Sequence, residues 1–333
     1  MTMGELCGSN PLTRAVVGGL YRYRGPDISK VVDGVKYETP VLLSAGFDPN
    51  GRMTRIMRSM SFGGEEIGST TAYPCPGNPP PRQTRLPKNQ SIIIYKGLRN
   101  HGVDRLIAKL KKTPHTPGYV IGVSIALTNY RKESCDTLEG AIADYVLSFK
   151  KLNEANIGDY YTLNISCPNA FDGAGEMFAD PAKLAQLLPA IKTIPSSKPL
   201  YLKMPINLPM EQFDALLDIA DKNGVHGVIC GNLNKNYDEL EYRDEAPLEW
   251  RGGLSGKPCF SRSTALVRHV RQKYGKRFTI IGTGGILSPE DAMEKFRAGA
   301  DLVQMISGMI FYSPSLMKHI CKKYSEERPS YRV

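Results

Sequence analysis

The stretch Phe278-Thr279-Ile280-Ile281-Gly282-Thr283-Gly284-Gly285-Ile286-Leu287-Ser288-Pro289-Glu290-Asp291 joins three structural signals in one short run. Residues 278–282 form an apolar segment of strand length, and the glycines after it end the strand. Ser288 then reads as a helix N-cap, with Pro289 at the first helical position and Glu290 and Asp291 at the positive end of the helix dipole. Together they spell one strand-turn-helix unit, and the same unit recurs outward along the chain. Further strand-length runs lie at 41–45, 65–69, 119–124, 160–165, 200–204, 227–231 and 302–306. Segments of helical period occupy 103–112, 137–156, 181–191, 210–222, 263–274, 289–298 and 314–324. The second of these is the clearest, with Ile142, Tyr145, Val146, Phe149 and Leu152 on one side. Eight strands alternating with helices predict an α/β fold with a parallel sheet, and eight is the number that closes a (β/α)8 TIM barrel. The doubly wound alternative expects G-x-G-x-x-G after a strand, whereas the glycines at 282, 284 and 285 have the wrong spacing.

The chain has 333 residues, which suits one barrel, 29–333, preceded by a short N-terminal helical segment, 1–28. In that segment Leu12, Ala15, Val16, Leu20, Tyr21 and Tyr23 are interleaved with Arg14, Arg22 and Arg24, a pattern for a helix lying at a lipid interface or packed on the barrel. Gly18-Gly19 weakens such a helix by about 1 kcal/mol per glycine relative to alanine. No run approaches the roughly 20 apolar residues of a membrane span. Prolines at 74, 76, 79, 80, 81 and 87 argue against a helix in 71–88 and predict a shaped loop over one barrel mouth. The net charge of +10 is spread in small groups on helix faces, which favours solvated surfaces over a nucleic-acid groove. Seven dispersed cysteines, with no CxxC pair and no metal-ligand spacing, point to a reduced cytoplasmic interior and to no metal or iron–sulfur site.

In a barrel the chemistry sits just after the strands, at their carboxyl ends. Asn164-Ile165-Ser166-Cys167-Pro168-Asn169 closes the fourth run and puts two carboxamides, a hydroxyl and a thiol there. A cysteine is most often a small buried hydrophobe. Carboxamides beside it, able both to donate and to accept, suit a planar ligand with carbonyls and ring NH groups. Lys203, inside the apolar run Leu200-Tyr201-Leu202-Lys203-Met204, needs an anion or acceptor to offset its burial. Gly252-Gly253-Leu254-Ser255-Gly256, Gly282-Thr283-Gly284-Gly285 and Ser307-Gly308 offer backbone NH groups on successive loops, as a phosphorylated cofactor requires.

These residues resemble the dihydroorotate dehydrogenase family, flavin mononucleotide (FMN) barrels of pyrimidine synthesis, over about 40–324. The resemblance rests on Ser44-Ala45-Gly46-Phe47-Asp48, Glu66-Ile67-Gly68-Ser69-Thr70-Thr71, Pro76-Gly77-Asn78-Pro79 with Pro81-Arg82, and Asn164 to Asn169. It continues through Gly253 to Pro258, Gly282 to Ile286 and Ala298-Gly299-Ala300-Asp301-Leu302-Val303-Gln304. It implies FMN held by Ala45, Gly46, Ser69, Ser124, Asn164, Lys203, Ser255, Gly256, Gly284, Gly285, Ser307 and Gly308. Cys167 would take the C5 proton of dihydroorotate while a hydride leaves C6 for the flavin, with Asn164, Asn169 and Asn232 holding the pyrimidine on its way to orotate.

The pattern is closer to the quinone-using, membrane-associated branch, which normally has serine where Cys167 stands; cysteine there is typical of the soluble branch. The family's lysine near flavin and substrate is missing, with Pro49 and Gly68 at the two places where the branches carry it. An asparagine expected near Ile94 or Tyr95 is absent, Leu233 replaces a threonine or serine, and Lys96 is the candidate for the missing charge. Arg85 resembles a quinone-contacting arginine, with an ordinary loop arginine bonded to backbone carbonyls as the other reading. The quinone branch has two N-terminal helices, for which only 11–23 offers a counterpart here. The leading expectation is a dihydroorotate dehydrogenase passing electrons to a quinone, cytoplasmic with peripheral contact to the inner face of the membrane. Another dihydropyrimidine, or a soluble acceptor such as fumarate, is the alternative, and an idle FMN-binding barrel is the remote one.

Overall fold

The computed structural model describes residues 2–114, 116–167, 176–247 and 252–328. Eight parallel strands close into a barrel: β1 (Val41–Leu43), β2 (Gly64–Thr70), β3 (Val120–Ile125), β4 (Tyr160–Asn164), β5 (Leu200–Met204), β6 (Gly227–Cys230), β7 (Thr279–Thr283) and β8 (Leu302–Met305). Each strand pairs with its neighbours in sequence, and β8 returns to β1. The helices lie outside and bury their apolar faces on the strands. In Leu138–Glu154 the buried side includes Ala141, Tyr145, Phe149 and Leu152, at spacings of four, four and three. Pro289–Arg297 begins as its sequence foretells, with a reciprocal capping box between Ser288 and Asp291.

Inside the barrel the side chains form layers. Leu42, Val120, Tyr160, Tyr201, Ile229, Ile281 and Leu302 fill an apolar floor, closed from below by Val32 and Tyr37 of an antiparallel hairpin (Lys30–Val32 with Val35–Tyr37). One step nearer the carboxyl ends the interior turns polar. There Glu66 accepts hydrogen bonds from Thr162 at 2.9 Å and Gln304 at 3.1 Å, with Lys203 at 3.9 Å. That polarity gradient directs the barrel's chemistry to one mouth.

Two features differ from the sequence reading. The prolines in 71–88 do exclude a helix, but Gln83–Leu86 is a strand that pairs antiparallel with Ser91–Ile94, and Gly253–Leu254 joins on the other side. This three-stranded sheet forms part of the wall of the cavity at the mouth. The N-terminal segment carries two helices rather than one, α1 (Thr2–Ser9) and α2 (Pro11–Tyr21), with Asn10 capping α2. Gly18 does not break α2, because tertiary packing offsets its low propensity: it is buried, and a Cβ there would lie 3.9 Å from the Ser59 side chain. α1 is tied down by Glu5, which pairs with Arg52 and Lys109, each at 2.6 Å. No helix among the described residues is long and apolar enough to cross a membrane.

Candidate active site

A cavity of about 490 Å³ opens at the carboxyl ends of the strands. Ala45, Gly46, Ser69, Asn164, Cys167, Lys203, Asn232, Ser255 and Ser307 line it from the barrel, and Arg85 and Lys96 from the covering segment. A smaller hollow of about 90 Å³ continues from it between the loops after β6, β7 and β8, where Gly256, Gly284 and Gly285 join the wall. An elongated ligand with a broad planar end and a compact anionic end fits this shape. Of the other candidates, Ser124 stands behind the wall and contacts Ser69 at 2.8 Å. Gly308 packs against the Ile286 carbonyl, where a Cβ would come within 2.3 Å. Asn169 lies outside the described residues.

The carboxamides form a connected network. Asn164 donates to Ser69 at 2.8 Å and accepts from the Ser166 backbone NH at 3.2 Å and hydroxyl at 3.0 Å. Asn232 donates to the Ser166 carbonyl at 2.8 Å and hydroxyl at 2.7 Å. Tyr145, from the outer helix, donates to the Asn164 carbonyl at 2.8 Å. Locked in this way, the end of β4 presents Cys167, 9% exposed, as a nearly buried thiol on the cavity wall. None of the seven cysteines is in a disulfide.

Lys203 donates to Ser44 at 3.3 Å and faces Glu66 at 3.9 Å. Burial pulls its pKa below the ordinary lysine value, and the negative charge of Glu66 and a Cys167 thiolate oppose that pull. Lys96 donates to the Gly46 carbonyl at 3.3 Å, and burial lowers its pKa too. Pro49, Gly68, Ile94 and Leu233 line the same cavity as Lys96. Arg85 combines both of its readings, lining the cavity while donating to the Ile310 carbonyl at 3.5 Å.

At the hollow, Gly284 and Gly285 have φ of +90° and +75°. Side chains are strained in that region, and at Gly285 a Cβ would also fall 2.5 Å from the Phe260 Cβ. Two glycines in succession therefore leave the loop backbone bare toward the hollow. Sequence reasoning missed Leu98 and Arg99, which also line the cavity. No signal marks them, because they lie far along the long connection after β2, beyond Gln83–Leu86 and Ser91–Ile94, rather than at a strand end.

The family model described as "Dihydroorotate dehydrogenase" matches residues 28–327. A dihydroorotate dehydrogenase (quinone) from Thermosynechococcus vestitus is 34% identical over 312 residues, covering 91% of this chain and 82% of that protein. One of the same description from Salinispora arenicola is 35% identical over 308 residues, covering 92% and 87%. Among solved structures, a ligand-free dihydroorotate dehydrogenase from Eimeria tenella superposes with a TM-score of 0.81 at 25% identity, covering 98% of this chain and 96% of that one. The likeness thus spans the barrel and its covering elements together, and the chain belongs to the dihydroorotate dehydrogenase family.

Proposed function

We propose that the protein oxidises dihydroorotate to orotate with FMN as cofactor and a quinone as electron acceptor, a step of pyrimidine biosynthesis. The observation that carries this reading is the continuity of the two hollows, which puts a thiol, two carboxamides and a buried lysine in one space with a glycine-walled end. Chains described as quinone-dependent dihydroorotate dehydrogenases, similar over nine-tenths of this one, support it.

Bound with its phosphate at the Gly256, Gly284, Gly285, Ser307 and Gly308 end, FMN supplies a two-electron acceptor for the hydride from C6. Ala45, Gly46, Ser69, Asn164, Lys203 and Ser255 would hold the ring system, with Ser124 bracing Ser69 from behind, and Lys203 would bring a cation to it. Cys167 takes the C5 proton. Asn164 and Asn232, with Asn169, orient the pyrimidine through carbonyl and NH contacts. Lys96 meets the substrate carboxylate, in a cavity whose Pro49 and Gly68 bring no charge to that task. Partial burial strengthens that pairing by removing competing water.

The acceptor side rests on α1 and α2. Met3, Leu6, Leu12, Val16 and Leu20 are each more than half exposed, and Leu12, Val16 and Leu20 recur at a spacing of four along α2. Such a stripe suits peripheral contact with a bilayer from which a quinone is drawn. Arg85, on the cavity wall, is the residue assigned to contact the quinone in this reading.

The test is anaerobic mixing of the yellow protein with dihydroorotate. Bleaching of the flavin, followed by reoxidation with a long-chain quinone, is the expected course. Reoxidation by fumarate alone would reassign the acceptor, and an unbleached flavin would overturn the substrate.

A further inference from the structure

Lys295, on the last turn of Pro289–Arg297, is completely buried. Its ammonium donates to the Phe260 carbonyl at 3.2 Å, to Thr264 Oγ1 at 2.7 Å and to Ser263 Oγ. All three acceptors belong to the first turns of Phe260–Tyr274. That turn supports the glycine loop after β7: Ser263 donates to the Gly284 carbonyl at 3.4 Å, and Gly285 abuts the Phe260 backbone. The lysine stem packs under the same loop, where a Cβ on Gly282 would lie 3.3 Å from its Cβ. The ammonium is therefore one hydroxyl removed from the loop that walls the smaller hollow.

Its hydrogen bonds are complete, but its charge is not balanced. Among the described residues no carboxylate forms an ion pair with it. Asp291 and Glu294 of its own helix act only through space, the Phe260 ring lies under the ammonium at 4.8 Å from its centroid, and the other titratable groups near it are the thiols of Cys230 and Cys259. A buried cation without a counterion is costly, and a neutral side chain could make comparable packing contacts without that cost. Binding an anion above the loop would remove the imbalance.

We propose that Lys295 is a positioning residue of the phosphate cradle, a buried cation that braces the Phe260–Ser263 turn against Gly284–Gly285 and takes its countercharge from the phosphate bound above. This rests on the reading of the smaller hollow as the FMN phosphate site. Burial pulls the Lys295 pKa down to about 7, so near neutral pH the empty cradle holds a mixture of ammonium and amine. An arriving phosphate favours the ammonium and raises that pKa, so binding takes up a proton. Affinity is then greatest where Lys295 is already charged and falls as the pH rises above its value in the empty protein. Burial holds Cys230 and Cys259 up at about 12, outside this window.

The experiment titrates the full chain, freed of cofactor, with FMN and in parallel with riboflavin, which lacks the phosphate. Measurements are taken from about pH 7, above the phosphate's own second pKa of about 6, to about pH 8.5. FMN affinity should fall about tenfold across the range while riboflavin affinity stays level. Lys295→Met should bind FMN about tenfold more weakly at pH 7, lose the pH dependence and bind riboflavin as the parent does. Should that variant fail to fold, calorimetry of the parent in two buffers of different ionisation heat reads the proton uptake directly, with FMN showing it and riboflavin not. FMN binding without proton uptake, or an FMN-specific pH dependence that persists in Lys295→Met, would overturn the role of Lys295 alone. Failure of FMN to bind at any pH would overturn the cofactor reading and this inference with it.

Discussion

Cys167 is where residue type decides most. An ordinary cysteine has a pKa of about 8.5, so a few per cent is thiolate at neutral pH. A serine hydroxyl is a far weaker acid and needs a relay to act as base. Cys167→Ser should therefore slow flavin reduction by dihydroorotate about 100-fold at pH 7, partly recovering at higher pH, with flavin content unchanged. Stopped-flow bleaching reads this. A Cys167→Ala protein that reduces its flavin at the parental rate would make the thiol a packing group. Glu65, beside the networked Glu66, is a second singular residue. Neither of its carboxyl oxygens has a hydrogen-bond partner among the described residues, and burial, with Asp48 adding to it, raises its pKa well above the carboxylate range. For an acid raised in the folded state, the stabilising contribution is full below the unfolded value and is lost as pH rises through the folded one. Glu65→Val removes that liability, so its melting temperature should exceed the parent's by a margin that widens from about pH 5 to about pH 8, as thermal unfolding at both values would show. A margin independent of pH would mean that Glu65 is as ionised in the folded protein as in the unfolded chain, and that its pKa is not raised.

Elements carried by local pattern were the legible ones. Residues 200–204 and 210–222 have the same bounds in the sequence reading and in the structure, and the other barrel strands differ by no more than two residues at either end. Each is a short apolar run ended by glycine or a polar residue, and barrel closure adds no surprise to that pattern. The covering sheet was not legible, because Gly253–Leu254 pairs with Ser91–Ile94 across some 160 residues of chain, and proline-rich flanks hide Gln83–Leu86. The same division holds for the site: Asn164, Cys167 and Lys203 sit at strand ends where a barrel exposes chemistry, whereas Leu98 and Arg99 reach the cavity on a segment with no such rule. The glycine loop after β7 yields the prediction at this scale. Gly284→Val puts a branched side chain at φ of +90°, with its Cβ 3.0 Å from that of Cys259. The variant should be isolated largely without its yellow colour while far-ultraviolet circular dichroism stays near the parent's. A fully flavinated Gly284→Val would remove this loop from the phosphate site.

At the scale of the whole molecule, the apolar stripe on α2 and the catalytic mouth are separable. Replacing the exposed Leu12, Val16 and Leu20 together by Glu costs little packing. Cosedimentation with anionic vesicles and turnover with a long-chain quinone should both drop severalfold, while flavin reduction by dihydroorotate holds. Equal losses in both half-reactions would assign the helices to the barrel's stability instead. The covering sheet, by contrast, is not separable from the loop beneath it. Ser255 donates its backbone NH to Ile92, and Lys257 donates to Gln90, so the strand that roofs the cavity is stitched to the segment leading into Gly256. The amides of 91–94 and 253–257 should exchange with deuterium as one cooperative unit. With the proposed cofactor in place, any opening of the roof would also loosen the segment that walls the smaller hollow, so the rate at which FMN escapes would follow how often the cavity opens.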